Sequence, residues 1–210
     1  MVLYGEIKLK VKKIHDFNLE EGLEGIQNKL MASIELKNYF EEEEIKYCAG
    51  VDLSYWKEKG ETYGVASIIV IDYKTKEVVE KVYSYGKITM PYMAGYLAFR
   101  ELPLIIEAAK KLNLEPDLFM FDGNGYLHFN HMGLATHASF FLDKPTIGVA
   151  KSYLKINDVE FKMPKNKRGS FTDIVINGVI YGRAVRTSKD VKPIFVSCGN
   201  YIELKNSYEI

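Results

Sequence analysis

Apolar and polar residues alternate near the start of the chain and then recur at helical spacing. The alternation over residues 5–12 predicts a short strand. Between residues 23 and 34, apolar side chains recur every three or four positions, and Asn18 upstream is a suitable N-cap. Together these features predict a first helix over about 19–37.

Three runs rich in β-branched and aromatic residues follow, at 47–55, 62–72 and 78–85. The polar residues 73–76, between the last two runs, suit a hairpin connection. We therefore expect these three strands to form an antiparallel meander.

The rest of the chain alternates between helical and extended patterns. The predicted elements are a helix over about 93–112, a strand at 117–121, a helix over about 132–141, and strands at 146–150, 172–176, 179–185 and 194–197. Helices between strands favour parallel additions to the sheet, whereas Asn177-Gly178 predicts a type I′ hairpin. The whole pattern predicts an α/β fold with a mixed central sheet flanked by helices. The ribonuclease H-like arrangement is one such fold, although the pattern alone does not single it out.

The composition is that of an ordinary folded protein. The 210 residues are 47% hydrophobic and 27% charged, with a formal net charge of zero, which argues against disorder. We find no internal repeat or Pro/Gly-rich linker, and we predict a single domain over residues 1–210. Cys48 and Cys198, the two cysteines, exclude a disulfide framework and a cysteine-based zinc cluster. The sequence shows no membrane span or signal peptide, and two lone cysteines suit a reducing compartment, so we expect a cytoplasmic protein. It shows no exposed heptads or interface stripe, so we expect a monomer.

Three acidic residues are candidates for catalysis. Asp52 lies within an apolar strand, where a carboxylate is disfavoured, Asp122 ends another apolar strand, and Glu101 lies early in the helix after the meander. Carboxylates from different elements suit a hard cation such as Mg²⁺, which supports phosphodiester hydrolysis. Lys151, directly after the strand at 146–150, is a candidate phosphate contact. The alternative is that Asp122 opens a turn and that Glu101 and Lys151 are solvated surface residues.

Several residues near these carboxylates have the chemistry of a nucleic-acid site. Gly123 and Gly125 would allow the backbone to approach a base or phosphate closely. Tyr92, before the second long helix, is suited to stack on a base or to fill the space that a base leaves. The alternative is that Tyr92 forms a hydrophobic staple, an apolar contact that fixes the start of the helix.

The histidines and the basic run at 162–168 are less specific. His128, His131 and His137 are spaced so that they cannot all share one helix face, which favours hydrogen bonding or a contact with DNA over a zinc site. The basic run is most simply a solvated loop, although it also suits non-specific contact with phosphate.

Several segments, in order along nearly the whole chain, resemble the endonuclease V (deoxyinosine 3′-endonuclease) family. They are GVDLSY (50–55), PYMAGYLAFRELP (91–103), DLFMFDGNGYLHFNHMGLATH (117–137), PTIGVAKSYL (145–154), GRAVRT (182–187) and KPIFVSCGN (192–200). The first helix, which contains Gln27, also matches. Several co-linear motifs of this kind are far more specific than any one of them alone.

The resemblance implies a ribonuclease H-like fold and a Mg²⁺-dependent DNA repair nuclease, with Mn²⁺ as a substitute. Such an enzyme cuts the second phosphodiester bond 3′ to a deaminated adenine in DNA, and in some members in RNA. The implied metal ligands are Asp52, Glu101 and Asp122, and the implied wedge is Tyr92. The implied hypoxanthine pocket consists of Gly95, Leu97, Gly123, Gly125, Leu134 and Leu154. Lys151 and His128 are implied to assist at the phosphate, and His137 has no assigned role.

The chain departs from the family pattern at three places. The motif that usually reads Ser-Pro-Gly-His is here Ser197-Cys198-Gly199-Asn200, and Asn200 cannot titrate near neutral pH as the family histidine does. Ala94 replaces a common proline in the wedge segment, and the family normally continues beyond position 210 through a longer helix.

These departures leave three hypotheses open. The first is an active endonuclease V that acts on deoxyinosine in DNA. The second is a protein that binds inosine-containing nucleic acid but cuts it weakly, because Asn200 replaces the family histidine. The third is a ribonuclease H-like nuclease with a different substrate, such as inosine-containing RNA or branched DNA.

Overall fold

The computed structural model describes residues 9–17 and 20–210, which contain one eight-stranded sheet and four α-helices. The strands are β1 (Tyr47–Glu58), β2 (Glu61–Asp72), β3 (Val78–Lys87), β4 (Leu118–Asp122), β5 (Thr146–Ala150), β6 (Phe171–Ile176), β7 (Val179–Val185) and β8 (Ile194–Asn200). The helices are α1 (Leu23–Met31), α2 (Leu97–Ala109), α3 (Leu134–Leu142) and α4 (Leu204–Glu209), and a 3-10 turn covers Glu42–Glu44.

The strands are arranged in the order β3-β2-β1-β4-β5-β8-β7-β6. The first three form the predicted antiparallel meander, and β4 and β5 add to it in parallel. β8 then pairs antiparallel with β5, and the β6–β7 hairpin completes the sheet. This confirms the predicted α/β fold with a mixed sheet flanked by helices.

The core divides between the two faces of the sheet. On one face, α2 and α3 cover the apolar side chains of the central strands, among them Val51, Phe119 and Phe121. On the other face, Ile45 and the segment that contains α4 cover a smaller cluster around Cys48, Leu118 and Ile147. Burial of this apolar surface is the main favourable contribution to folding.

Helices α1 and α2 differ most from the sequence predictions, whereas α3 begins two residues later and ends one residue later than predicted. α1 covers Leu23–Met31 and not 19–37, because the chain leaves the helix to pair with the end of the sheet, where Tyr201 N–H donates to the Glu35 carbonyl at 2.8 Å. α2 starts at Leu97 and not at 93, because Gly95 takes a positive φ of 84°.

The predictions for the first residues are tested only in part. Positions 5–8 of the predicted strand and the predicted N-cap Asn18 lie outside the described residues. Residues 9–12 form no strand, and Lys12 N–H instead donates to the Phe141 carbonyl at the end of α3. Within the described part of the chain, no helix is both long and apolar enough to cross a membrane.

Candidate active site

Asp52 and Asp122 lie side by side in the sheet. β1 and β4 run parallel with Val51 opposite Phe121, so the next residue of each strand is an aspartate. Neighbouring strands are about 4.8 Å apart, and residues in register point to the same face. Because Val51 and Phe121 point into the core beneath α2, both aspartates project from the opposite face. There they line an open cavity of about 450 Å³.

Glu101 approaches these aspartates from α2 and is almost fully buried, with 7% of its surface exposed. The Tyr55 hydroxyl donates to Glu101 Oε1 at 2.6 Å. Burial, with smaller contributions from the negative charges of Asp52 and Asp122, raises the pKa of Glu101 to about 7, although the hydrogen bond from Tyr55 acts in the opposite direction. Both aspartates therefore act electrostatically on Glu101, which contradicts the alternative of a solvated helix residue.

Lys151 directly follows β5 and forms an ion pair with Asp122. Its ammonium lies 2.5 Å from Asp122 Oδ2, while most of its side chain remains exposed. The hydrogen bond with Asp122 is the main reason that the pKa of Lys151 is raised, and the charge of Asp52 adds to it. The lysine is therefore held beside the carboxylates, with its cation available at the surface.

The oxygen donors of this site fit a hard divalent cation. Among the described residues, no three His, Cys, Asp or Glu side chains form a ready-made metal cluster. Mg²⁺ does not need one, because it keeps several waters and is commonly held by one or two carboxylates plus a substrate phosphate. The adjacent Asp52 and Asp122 meet that requirement, and Glu101 on α2 is close enough for their charges to raise its pKa.

Tyr92 lies in the segment between β3 and α2, and 70% of its surface is exposed. With Leu97 it lines a second cavity of about 540 Å³. Gly95 in the same segment accepts a hydrogen bond at its carbonyl from Gln27 Nε2 at 2.9 Å, and Gln27 Oε1 accepts one from Asn130 Nδ2 at 3.1 Å. Gln27 is fully buried, so this network ties the Tyr92 segment to α1.

The glycines after Asp122 are required by contacts within the protein. A Cβ on Gly125 would lie 2.4 Å from the Cys198 carbonyl oxygen, and one on Gly148 would lie 2.3 Å from Gly125 N. Gly125 N–H also donates to Ser197 Oγ at 2.9 Å. A Cβ on Gly123 would make only an ordinary contact with Leu134, but its φ of +158° is one that residues with a side chain rarely adopt. Close internal packing thus explains Gly125 without any ligand.

The histidines have separate environments. His128 is buried close to Gly95, and burial lowers its pKa to about 4. His137 is fully buried in α3, where its Nε2 lies 2.8 Å from His15 Nε2 and burial lowers its pKa to about 3. His131 stacks on Tyr126. His137 therefore contributes to the interior, whereas His128 lies beside the Tyr92 segment.

Comparison with known proteins decides the family. The family model for Endonuclease V matches residues 28–210. The chain belongs to the endonuclease V family. An endonuclease V of Bacillus velezensis is 60% identical over 204 residues, which cover 96% of this chain and 86% of that protein. Membership in this family makes the chain an enzyme of the nuclease class.

Solved structures of endonuclease V share the fold. The crystal structure of the Bacillus subtilis protein superposes with a TM-score of 0.93 at 59% identity, covering 96% of this chain and 86% of that one. An endonuclease V of Ciona intestinalis, solved with a 24mer DNA containing an inosine followed by a ribo-adenosine, gives a TM-score of 0.75 at 30% identity. It covers 87% of this chain and 84% of its own. The mixed sheet and these likenesses are consistent with a ribonuclease H-like fold.

Asn200 lies at the opposite end of the sheet from the carboxylates. Asp122 is level with Val149 of β5 and Val196 of β8, whereas Asn200 pairs with Thr146. Four residues of β8 separate the two positions by roughly 13 Å. Asn200 Oδ1 accepts a hydrogen bond from Glu35 N–H at 2.7 Å. Position 200, where the family motif has a histidine, therefore lies away from Asp52 and Asp122 in this structure.

Leu154 packs in a different apolar cluster from Leu134. It packs at the margin of the cluster formed by Leu127, Ala150 and Phe195. Gly95 lies near His128, and Gly123 lies near Leu134. The implied pocket residues thus contact several different elements of the fold.

Two contacts of the site were missed in the sequence. Tyr55 donates to Glu101 across 46 positions, and Gln27 binds Gly95 across 68 positions. Tyr55 and Asp52 are three residues apart on one strand, so no periodic pattern marks the tyrosine as a neighbour of α2. Gln27 lies on the buried side of an amphipathic helix, and a glutamine at a core position was the only available signal.

Proposed function

We propose that this endonuclease V hydrolyses the second phosphodiester bond 3′ to deoxyinosine in DNA, with Mg²⁺ or Mn²⁺, as a DNA repair nuclease. The observation that carries the proposal is the pair of register-matched aspartates, Asp52 and Asp122, with the buried carboxyl of Glu101 and the ammonium of Lys151 beside them. The Ciona relative bound to inosine-containing DNA supports the choice of substrate.

In this proposal, Asp52 and Asp122 hold the cation and Glu101 completes the oxygen donors. When bound, a divalent cation supplies activation of water and stabilisation of the leaving oxygen. Lys151 is placed to contact the scissile phosphate, because its ammonium is held at Asp122 and its side chain is exposed. A cation at that point stabilises the negative charge that develops on the phosphate oxygens.

Tyr92 acts as the wedge that occupies the space left by the flipped base. A nuclease that reads a base within a duplex must extrude it, and a deaminated base pairs poorly, so extrusion requires less free energy. An exposed aromatic ring can fill the resulting gap and keep the neighbouring bases stacked. The exposure of Tyr92 and the anchoring of its segment by Gln27 suit this role.

The base pocket is assigned to Gly95, Leu97, Gly123, Gly125 and Leu134, with His128 beside it. The segment with Gly95 and Leu97 is close to His128, and Gly123 is close to Leu134. Leu154 remains a proposed pocket residue at the margin of this region, and Asn200 has no direct role at the cation. Weak cutting caused by Asn200, the second hypothesis, therefore has no support from the register.

Nicking of oligonucleotides with one inosine tests this proposal. The unaltered chain should cut with Mg²⁺ and lose activity when a chelator removes the metal. Glu101→Gln should reduce the nicking rate on the order of 100-fold or more, because one oxygen donor beside the cation loses its charge. Glu107→Gln is the matched control, since Glu107 is an exposed residue of the same helix that forms a surface ion pair with Lys110. Equal rates for the two variants would refute the proposed site.

An inosine-specific ribonuclease activity is the second candidate. The DNA in the Ciona complex carries a ribo-adenosine after the inosine. This favours an active site that accepts a ribose on the 3′ side of the inosine. The same assay with all-RNA and all-DNA strands separates the two activities. Faster cutting of the RNA strand would assign the chain to the second candidate.

A further inference from the structure

Trp56 lies on the same face of β1 as Asp52, four residues further along the strand. It pairs directly with Tyr63 of β2, and the two rings stack with centroids 5.6 Å apart and planes inclined by 19°. The indole nevertheless keeps 39% of its surface exposed. A tryptophan held by a second ring and open to solvent is a rigid apolar platform.

The strand that carries Trp56 has an open edge. β1 pairs with β4 only as far as Val51, whereas its pairing with β2 continues to Glu58. Within the described part of the chain, residues 52–58 therefore have a strand neighbour on one side only. This open edge begins at Asp52, which is the proposed cation ligand.

The cavity at this edge also contains Tyr92. Tyr55, Trp56 and Tyr92 line it together with the cationic side chains of Lys57 and Arg100. The guanidinium of Arg100 lies over the Tyr55 ring, 4.7 Å from its centroid, and the Tyr55 hydroxyl contacts Glu101. Aromatic rings interleaved with basic side chains are the chemistry that binds a single nucleic-acid strand, since bases stack and phosphates pair with cations.

We propose that Trp56 is a stacking platform for an unpaired base of the substrate strand, next to the base that is flipped out. The platform continues the surface from Asp52 along the open edge of β1 to the cavity beside Tyr92. The bound group is a nucleobase, because the exposed rings can stack on a base while Lys57 and Arg100 can pair with the neighbouring phosphates. This inference rests on the proposed nuclease function and assigns it a further substrate subsite.

Tryptophan fluorescence tests the contact directly, because Trp56 is the only tryptophan of the 210 residues. The Asp122→Asn chain with Mg²⁺ is titrated with a labelled single-stranded oligonucleotide containing one inosine, and label anisotropy follows binding. Stacking predicts quenching of Trp56 that saturates together with the anisotropy. Binding without any change in tryptophan fluorescence, or the absence of binding, would overturn the proposal.

Variants then separate stacking from general packing. Trp56→Leu should raise the Kd for this oligonucleotide about 5- to 100-fold, whereas Trp56→Phe should retain most of the affinity. Tyr39→Leu is the matched control, because Tyr39 is an exposed aromatic residue that packs on Tyr201 next to Asn200. Equal losses for Trp56→Phe and Trp56→Leu would contradict an aromatic platform.

Nicking by the unaltered chain distinguishes the two proposals. Inosine-dependent nicking with no quenching of Trp56 would overturn the platform and leave the proposed function in place. Quenching without inosine-dependent nicking would overturn the proposed function and leave the nucleobase platform supported.

Discussion

At the scale of single residues, burial shifts the pKa of a histidine in the core as well as that of Glu101 beside the aspartates. His137 is enclosed in α3 with its Nε2 facing His15, and burial lowers its pKa to about 3 from an ordinary value of 6.5. The pKa of His15 is lowered as well, also by burial. Desolvation disfavours the protonated form of both imidazoles, of which His137 is fully buried and His15 is half-buried.

These shifts predict a loss of stability on mild acidification. Below about pH 6.5 the unfolded chain binds a proton that the buried His137 does not, so the contribution of His137 to the free energy of unfolding falls as the pH drops. The raised pKa of Glu101 acts in the opposite direction. The expected decrease is about 2 kcal/mol for His137 between about pH 7 and about pH 5. Urea unfolding at both pH values measures it.

His137→Gln provides the control for this prediction, since glutamine keeps a hydrogen-bonding group but does not titrate. The difference in unfolding free energy between the two pH values should shrink in this variant, whatever its absolute stability. An unchanged difference would mean that His137 is not the group responsible.

At the scale of elements, Gln27 joins α1 to the Tyr92 segment and to the loop that contains Asn130. Gln27→Ala removes both hydrogen bonds and leaves the Gly95 carbonyl without its donor. We expect about 10-fold slower nicking of duplex DNA, because the wedge is less well positioned. Single-stranded DNA, which needs no wedge, should be nicked at a nearly unchanged rate.

A double-mutant cycle checks this coupling. If Gln27 acts through the wedge, Gln27→Ala should slow a Tyr92→Ala chain much less than it slows the unaltered chain. Additive effects on duplex nicking, or equal losses on single-stranded DNA, would indicate that Gln27 only stabilises the fold.

The elements also show what sequence pattern predicts and what it does not. The bounds of β5 and β7 were predicted as observed, because each is a short run with clear turn residues at both ends. The end of α1 was wrong, because a contact between Glu35 and Tyr201 decides it. The three carboxylates were visible as polar residues at the ends of apolar runs, whereas their hydrogen-bond partners depend on tertiary packing.

At the scale of the whole molecule, four glycines allow β5, β8, α3 and the loop after β4 to meet. A Cβ on Gly148 would lie 2.3 Å from Gly125 N, and one on Gly199 would lie 2.0 Å from Thr146 Oγ1. A Cβ on Gly133 would lie 2.3 Å from the Asn124 carbonyl oxygen. This junction directly follows Asp122, so it fixes the loop next to the proposed cation ligands.

Gly148→Ala should therefore destabilise the protein, by about 1–3 kcal/mol or more, because backbone atoms would have to move. Gly25→Ala is the matched control, since Gly25 lies within α1 and a Cβ there meets nothing within 4 Å. That substitution should stabilise the fold by about 0.5–1 kcal/mol through helix propensity. Thermal unfolding of both variants measures the two effects, and equal shifts would contradict the close packing.

The central claim is that Asp52, Glu101, Asp122 and Lys151 form the catalytic centre of an inosine-directed nuclease. The most direct measurement is to map, at single-nucleotide resolution, the product from an end-labelled duplex with one deoxyinosine. The unaltered chain should cut one nucleotide beyond the inosine on its 3′ side, and the Asp122→Asn chain should leave the strand intact. A cut that ignores the inosine, or full activity of the Asp122→Asn chain, would contradict the account.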